Sequence, residues 1–108
     1  MTERILCAAV WYDDGKVYEH QPKNIKTGIV ICGRRHHNCL LTLFVLKGEG
    51  NINKELMGRN SQGFLTSSDK YVTRKSAFSI AKSAGQLLKP ETFDPNENDV
   101  ILVSEDLY

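Results

Sequence analysis

Residues 4–12, RILCAAVWY, are apolar at almost every position and stop at Asp13-Asp14-Gly15. An extended chain would put Ile5, Cys7, Ala9 and Trp11 on one face and Leu6, Ala8, Val10 and Tyr12 on the other, so both faces need cover. At 108 residues the chain can build only a small core, burying about two-thirds of its unfolded surface. A helix is therefore expected on one face of this strand and a second copy of the chain on the other. Beyond Gly15, KVYEH resumes a strand-like composition, and strand, turn, strand is the natural reading.

The remaining pattern is mixed. QPKN signals a loop, and GIVIC at 28–32 is β-branched and short, a third strand. From His36 to Lys47 the period changes: Leu40, Leu43, Phe44 and Lys47 fall at helical spacing, ended by Gly48. Residues 48–61 hold three glycines and three asparagines and read as a loop with one short helical turn at INKEL. QGFLT and KYVT flank Ser67-Ser68-Asp69 as a hairpin. Thr73 suits the N-cap of a second helix with an apolar stripe of Ala77, Ile80, Ala81, Ala84 and Leu88, closed by Gly85 and Pro90. PETFDPNEND reads as a polar connection and VILV as a last strand. The expectation is one α+β domain over residues 1–108: a small antiparallel sheet with two main helices packed on it.

Charge narrows the function. Fourteen basic against thirteen acidic residues leave a net charge of +1, without the basic excess that a nucleic-acid polymer or an acidic membrane surface would require. The three cysteines, Cys7, Cys32 and Cys39, sit inside apolar runs without zinc-site spacing and read as buried thiols in a reducing compartment. With no apolar span of membrane length and no signal segment, a cytoplasmic protein is expected.

The chemistry gathers at the two helix starts, GRRHHN at 33–38 and TRKSAFS at 73–79. Cations there oppose the helix dipole, an unfavourable placement, while the unpaired N–H groups favour an anion. Arginine adds a planar fork matched to phosphate oxygens, so Arg34, Arg35, His36, His37 and Arg74 read as a phosphate site. Phe78, four residues beyond Arg74, shares its face; it and Phe64 serve either as core or as a platform for a base. Neighbouring histidines on a helix point about 100° apart and His20 is the only other one, so neither metal nor cofactor is expected. No GxSxG, GxGxxG or GxxxxGK[ST] motif is present, and Glu105 and Asp106 on a strand would point apart. The chain offers binding groups without a catalyst.

Three ordered blocks, GRRHHN, QGFLTSSDKYVTRKSAFSIAKSAGQ and LVSEDLY, resemble the first type of Thoeris anti-defence protein, a small phage protein that sequesters cyclic ADP-ribose signals. The resemblance covers most of the chain. It implies a non-enzymatic sponge in the cytoplasm of an infected bacterium, a homo-oligomer (dimer, with hexamers in some members) that holds glyco-cyclic ADP-ribose and in some cases cyclic oligonucleotides. By motif match it places Arg34, His36, His37, Phe64, Thr66 and Arg74 near ligand, with Gln86, Ser104, Glu105 and Asp106 behind them. The chain departs from the pattern in a longer segment before GRRHH, and in Asn38, Lys70 and Ser76 where an acidic residue, glycine and glutamate are common. A relative holding a different cyclic nucleotide, a phosphodiesterase using His36 or His37, a module that blocks a defence effector directly, and a structural phage protein in which changing the arginines does little are the alternatives.

Overall fold

The computed structural model describes residues 3–57, 61–87, 92–94 and 99–103. Four strands, β1 (Ile5–Tyr12), β2 (Ile29–Gly33), β3 (Gln62–Thr66) and β4 (Tyr71–Thr73), form an antiparallel sheet in the order β2-β1-β3-β4. Helices α1 (His36–Lys47) and α2 (Arg74–Ser83) pack on it, α1 over β2 and β1, α2 over β3, β4 and β1. Short 3-10 turns occupy Glu49–Asn51 and Lys54–Leu56, and a second hairpin, β5 (Thr92–Asp94) with β6 (Asp99–Ile101), lies against α2. The fold is α+β. Helix α1 spans the residues its periodicity predicts, and the INKEL turn and the β3-β4 hairpin form where composition places them.

The core lies between the sheet and the helices. Ala8, Val10, Tyr12 and Ile5 of β1 meet Ile31, Phe64, Cys39 and Leu43, with Ala77 and Ala81 of α2 and Leu102 beyond β6. Fully buried alanines at 77 and 81 let α2 approach the sheet closely. Ile5 departs from the alternation expected of β1: a register shift between Ile5 and Cys7 inserts an extra residue. The bulge turns Ile5 into the core and leaves Leu6 54% exposed.

Residues 16–20 do not form the expected strand. Asp13 and Asp14 accept hydrogen bonds from the backbone N–H groups of Gly15 and Lys16, the local side-chain bonding that competes with a ladder. Tyr18 donates to Asp14 at 2.6 Å and accepts from Lys47 at 2.5 Å, which ties the loop to the end of α1. Residues 13–28 instead fold against the sheet face opposite the helices, where Trp11 packs on Tyr71 (5.7 Å, 58°) and donates to the Thr27 carbonyl. Part of the second face of β1 is thus covered by this chain's own loop. Two further expectations are corrected. Thr92–Asp94, read as a polar connection, form β5, whose three residues between prolines are too few to show a period. Cys32 is exposed and Cys7 half-buried; only Cys39 is fully buried.

Side-chain amides complete the sheet where strands give out. Asn24 accepts from Tyr71 N at 2.8 Å and donates to Tyr71 O at 2.6 Å, so it pairs with the outward edge of β4 as a strand residue would. Gln86, just past α2, makes the same pair of bonds with Ile5, both 2.8 Å, where β2 has already ended opposite Ala8. Edges protected in this way resist pairing with another chain.

Candidate functional site

Strand β2 ends at Gly33, and two residues later Arg35 caps α1, its N–H donating to the Asn38 side chain at 3.2 Å. A side chain at Gly33 would lie 3.3 Å from the Cys39 sulfur, so glycine lets the strand turn tightly into the helix. No acidic residue occupies the first turn of α1. Arg34 and His37 are exposed, while Arg35 and His36 are half-buried. The His36 ring stands edge-on to Phe64, with centroids 5.0 Å apart at 79°. Its Nε2 lies 2.8 Å from the Gly63 carbonyl; a carbonyl only accepts, so Nε2 carries the proton and donates.

Helix α2 repeats the arrangement. Strand β4 ends at Thr73, whose hydroxyl accepts from Ser76 N at 3.4 Å as the N-cap. Arg74 follows at once, half-buried, its carbonyl accepting from Leu102 N at 2.9 Å. Lys75 is exposed, and again the first turn holds no acid. Burial pushes the Tyr71 hydroxyl above its ordinary range against the lowering effect of the Arg74 charge, so that phenol stays neutral beside the helix start.

The pairing register sets the ends of the strands that lead into these two helices at the same level of the sheet. β2 and β4 are the outer strands and run antiparallel to each other, yet they end in neighbouring rows of the sheet, because Gly33 pairs with Ala8, Ala8 with Phe64 and Phe64 with Val72. Three strand spacings separate them, about 14 Å. His36 bridges part of that gap, because the Gly63 it bonds is the cross-strand partner of Thr73, the cap of α2. The two segments thus leave neighbouring rows toward opposite ends of the sheet, one carrying Arg34, Arg35, His36 and His37 and the other Arg74 and Lys75.

Other candidate residues fall elsewhere. Phe64 is 0% exposed beneath His36 and belongs to the core. Thr66 is 1% exposed; its hydroxyl donates to Glu3 at 2.7 Å and accepts from Ser68 N, which fixes the β3-β4 turn. Phe78 packs on the core with the Lys82 ammonium 5.8 Å from its ring centre. Gln86 is engaged with Ile5, and Ser104, Glu105 and Asp106 lie outside the described residues, as do Leu88 and Pro90. The amide roles of Asn24 and Gln86 escaped sequence reasoning; only turn-like composition around Asn24 and the proximity of Gln86 to a helix end hinted at them. Among the described residues no group of three or more histidines, cysteines and carboxylates could hold a metal, and no helix is long and apolar enough to cross a membrane.

The fold defines a small α+β domain whose two helices, each with a cationic start, pack on one face of its sheet. The chain belongs to the phage T4 y16D protein family, whose model matches residues 4–108. No curated protein and no solved structure matches it.

Proposed function

We propose that this phage-family protein binds and sequesters a cyclic nucleotide signal without cleaving it, the activity that its resemblance to the first type of Thoeris anti-defence protein implies. The observation that carries the reading is that two helix starts without an acidic residue in their first turn, bearing Arg34, Arg35 and Arg74, follow strands that end in neighbouring rows of the sheet. The strand ends that feed them lie about 14 Å apart, a spacing that suits a ligand with two phosphate groups, each meeting N–H donors and a guanidinium. Phe64 is buried, so the planar group offered to a base is the His36 imidazole, held by Gly63 and Phe64. Its donating nitrogen is already occupied by a backbone carbonyl. That favours holding over proton transfer at this residue.

A homo-oligomer fits the same reading. Leu41 and Val45, one turn apart on α1 and facing away from Cys39 and Leu43, are 49% and 83% exposed. Exposed apolar surface on a helix favours association with a second copy. The deciding experiment incubates the purified protein with a panel of cyclic ADP-ribose isomers and cyclic di- and trinucleotides, then measures depletion and, after heat denaturation, recovery by chromatography. Capture with intact recovery supports a sponge. Altered nucleotide identifies a phosphodiesterase, and no capture leaves direct inhibition of an effector.

A further inference from the structure

Two of the three thiols share the sheet face opposite the helices. Cys32 of β2 stands directly across from Ala9, and Cys7 is two residues along β1 from Ala9, so the two cysteines are diagonal neighbours on adjacent strands. Cys39 lies on the other side, fully buried, donating to the Ala8 carbonyl at 3.5 Å. The pair is open to reagents, because Cys32 is exposed and Cys7 half-buried. We propose that Cys7 and Cys32 form an oxidisable dithiol, a modification site at which a low-molecular-weight disulfide is reduced and β1 and β2 become reversibly cross-linked.

The surroundings prepare Cys7 as the attacking sulfur. The neighbouring Cys32 thiol and the Gly33 N–H favour its thiolate, which outweighs burial and brings its pKa down to about 7. Cys32 is pushed up, first by Cys7 and then by burial, as is Cys39, which burial raises to about 11. A thiol with a pKa near ambient pH combines thiolate fraction with nucleophilicity. In the first step the Cys7 thiolate attacks one sulfur of the small disulfide, breaks its S–S bond and expels one thiolate. In the second, Cys32 loses its proton and attacks the Cys7 sulfur of the mixed disulfide, forming the Cys7–Cys32 bond and expelling the second thiolate. Two protein thiols are oxidised, the small disulfide is reduced to two thiols, and the protons end on those products.

Geometry makes the bond reversible. Diagonal neighbours sit about 7–8 Å apart at Cα, beyond the roughly 4.4–6.8 Å of a relaxed disulfide. The strands must close by about an ångström, and the irregular step between Ile5 and Cys7 is where β1 can yield. A bond formed under such tension is more easily reduced than a structural one.

The test treats reduced full-length protein with glutathione disulfide and follows intact mass, thiol titration after denaturation and peptide mapping. Expected are a loss of two hydrogen masses, a fall from three titratable thiols to one, a Cys7–Cys32 peptide and full reversal by dithiothreitol. Cys32→Ser should halt at a glutathionyl adduct on Cys7. Persistent glutathionylation of the wild type, a bridge that includes Cys39 or joins two chains, or three unreacted thiols would each overturn the proposal.

Discussion

Arg74 is the residue whose replacement best separates binding from folding. Its backbone carbonyl anchors Leu102, a contact that alanine preserves, while the guanidinium at the start of α2 is lost. Arg74→Ala should therefore leave the unfolding midpoint within experimental error and weaken capture of a phosphate-bearing nucleotide by about 1.5–3 kcal/mol, the scale of a charge-assisted bond. Calorimetric titration of both proteins measures it, and unchanged affinity removes Arg74 from the site. Gly63→Ala should do the reverse. A methyl group there would run into the Val72 carbonyl of the paired strand and come 2.8 Å from the Tyr71 ring. Backbone in a ladder cannot step aside, so stability should fall by about 1–3 kcal/mol in urea denaturation. At this scale the sequence is legible where a residue acts on its own neighbours: Thr73 caps its helix as its hydroxyl predicts, and the cations stand at the helix starts. It is less legible where burial decides. Phe64 has the same composition-level signature as core or as platform, and only the pairing of β1 with β3 places it under His36.

At the scale of elements, the loop between β1 and β2 shows what periodicity misses. Its residues form no strand, yet Asn24 supplies both hydrogen bonds along the edge of β4. Asn24→Ala leaves the Tyr71 N–H and C=O without that partner, at about 1–3 kcal/mol; Asn24→Asp keeps an acceptor but sets oxygen against the carbonyl and should be no better. Faster amide hydrogen exchange at Tyr71 in both variants would report loss of the clamp. The other end of the loop is held by charge, through Asp14, Tyr18 and Lys47, with Lys47 3.5 Å from Asp14. Burial opposes ionisation of Asp14, but the Tyr18 bond, the Lys16 N–H and the Lys47 charge outweigh it and hold its pKa below the ordinary value. The Tyr18 bond leads in raising Lys47, against burial and with help from Asp14. A lowered acid stabilises the fold above its unfolded pKa of about 4, and a raised base does so below its unfolded pKa of about 10.5. The contribution should therefore be flat through neutral pH, fall away as acid protonates Asp14, and fall away again as alkali deprotonates Lys47. Lys47→Met should flatten both limbs in a series of urea midpoints against pH. A strand-like KVYEH was the natural expectation because composition registers residue type; the carboxylate-to-backbone bonds that divert it are set by conformation.

For the whole molecule, the sheet has one face under two helices and the other only partly under its own loop, with Leu6 and Cys32 still exposed. The α+β class and both main helices are legible in the periods, because a 12-residue and a 10-residue helix carry enough turns to show one. The three-residue β5 does not, and the bulge that sends Ile5 into the core depends on the register of β3, which no local pattern encodes. The sequence placed the need for a partner on β1; the structure shifts the strongest exposed apolar surface to α1. Val45, 83% exposed, makes few contacts within its own chain, so Val45→Glu should cost less than about 0.5 kcal/mol of folding stability. A carboxylate in a desolvated interface is costly, so the variant should sediment as a monomer at concentrations where the wild type associates. Nucleotide capture by that monomer then locates the site. Retained affinity means that one chain's two helix starts suffice, and lost affinity with an intact fold means that the pocket is completed by the second copy. A wild-type protein that sediments as a monomer throughout would set the self-association reading aside and leave the two helix starts of one chain to bind alone.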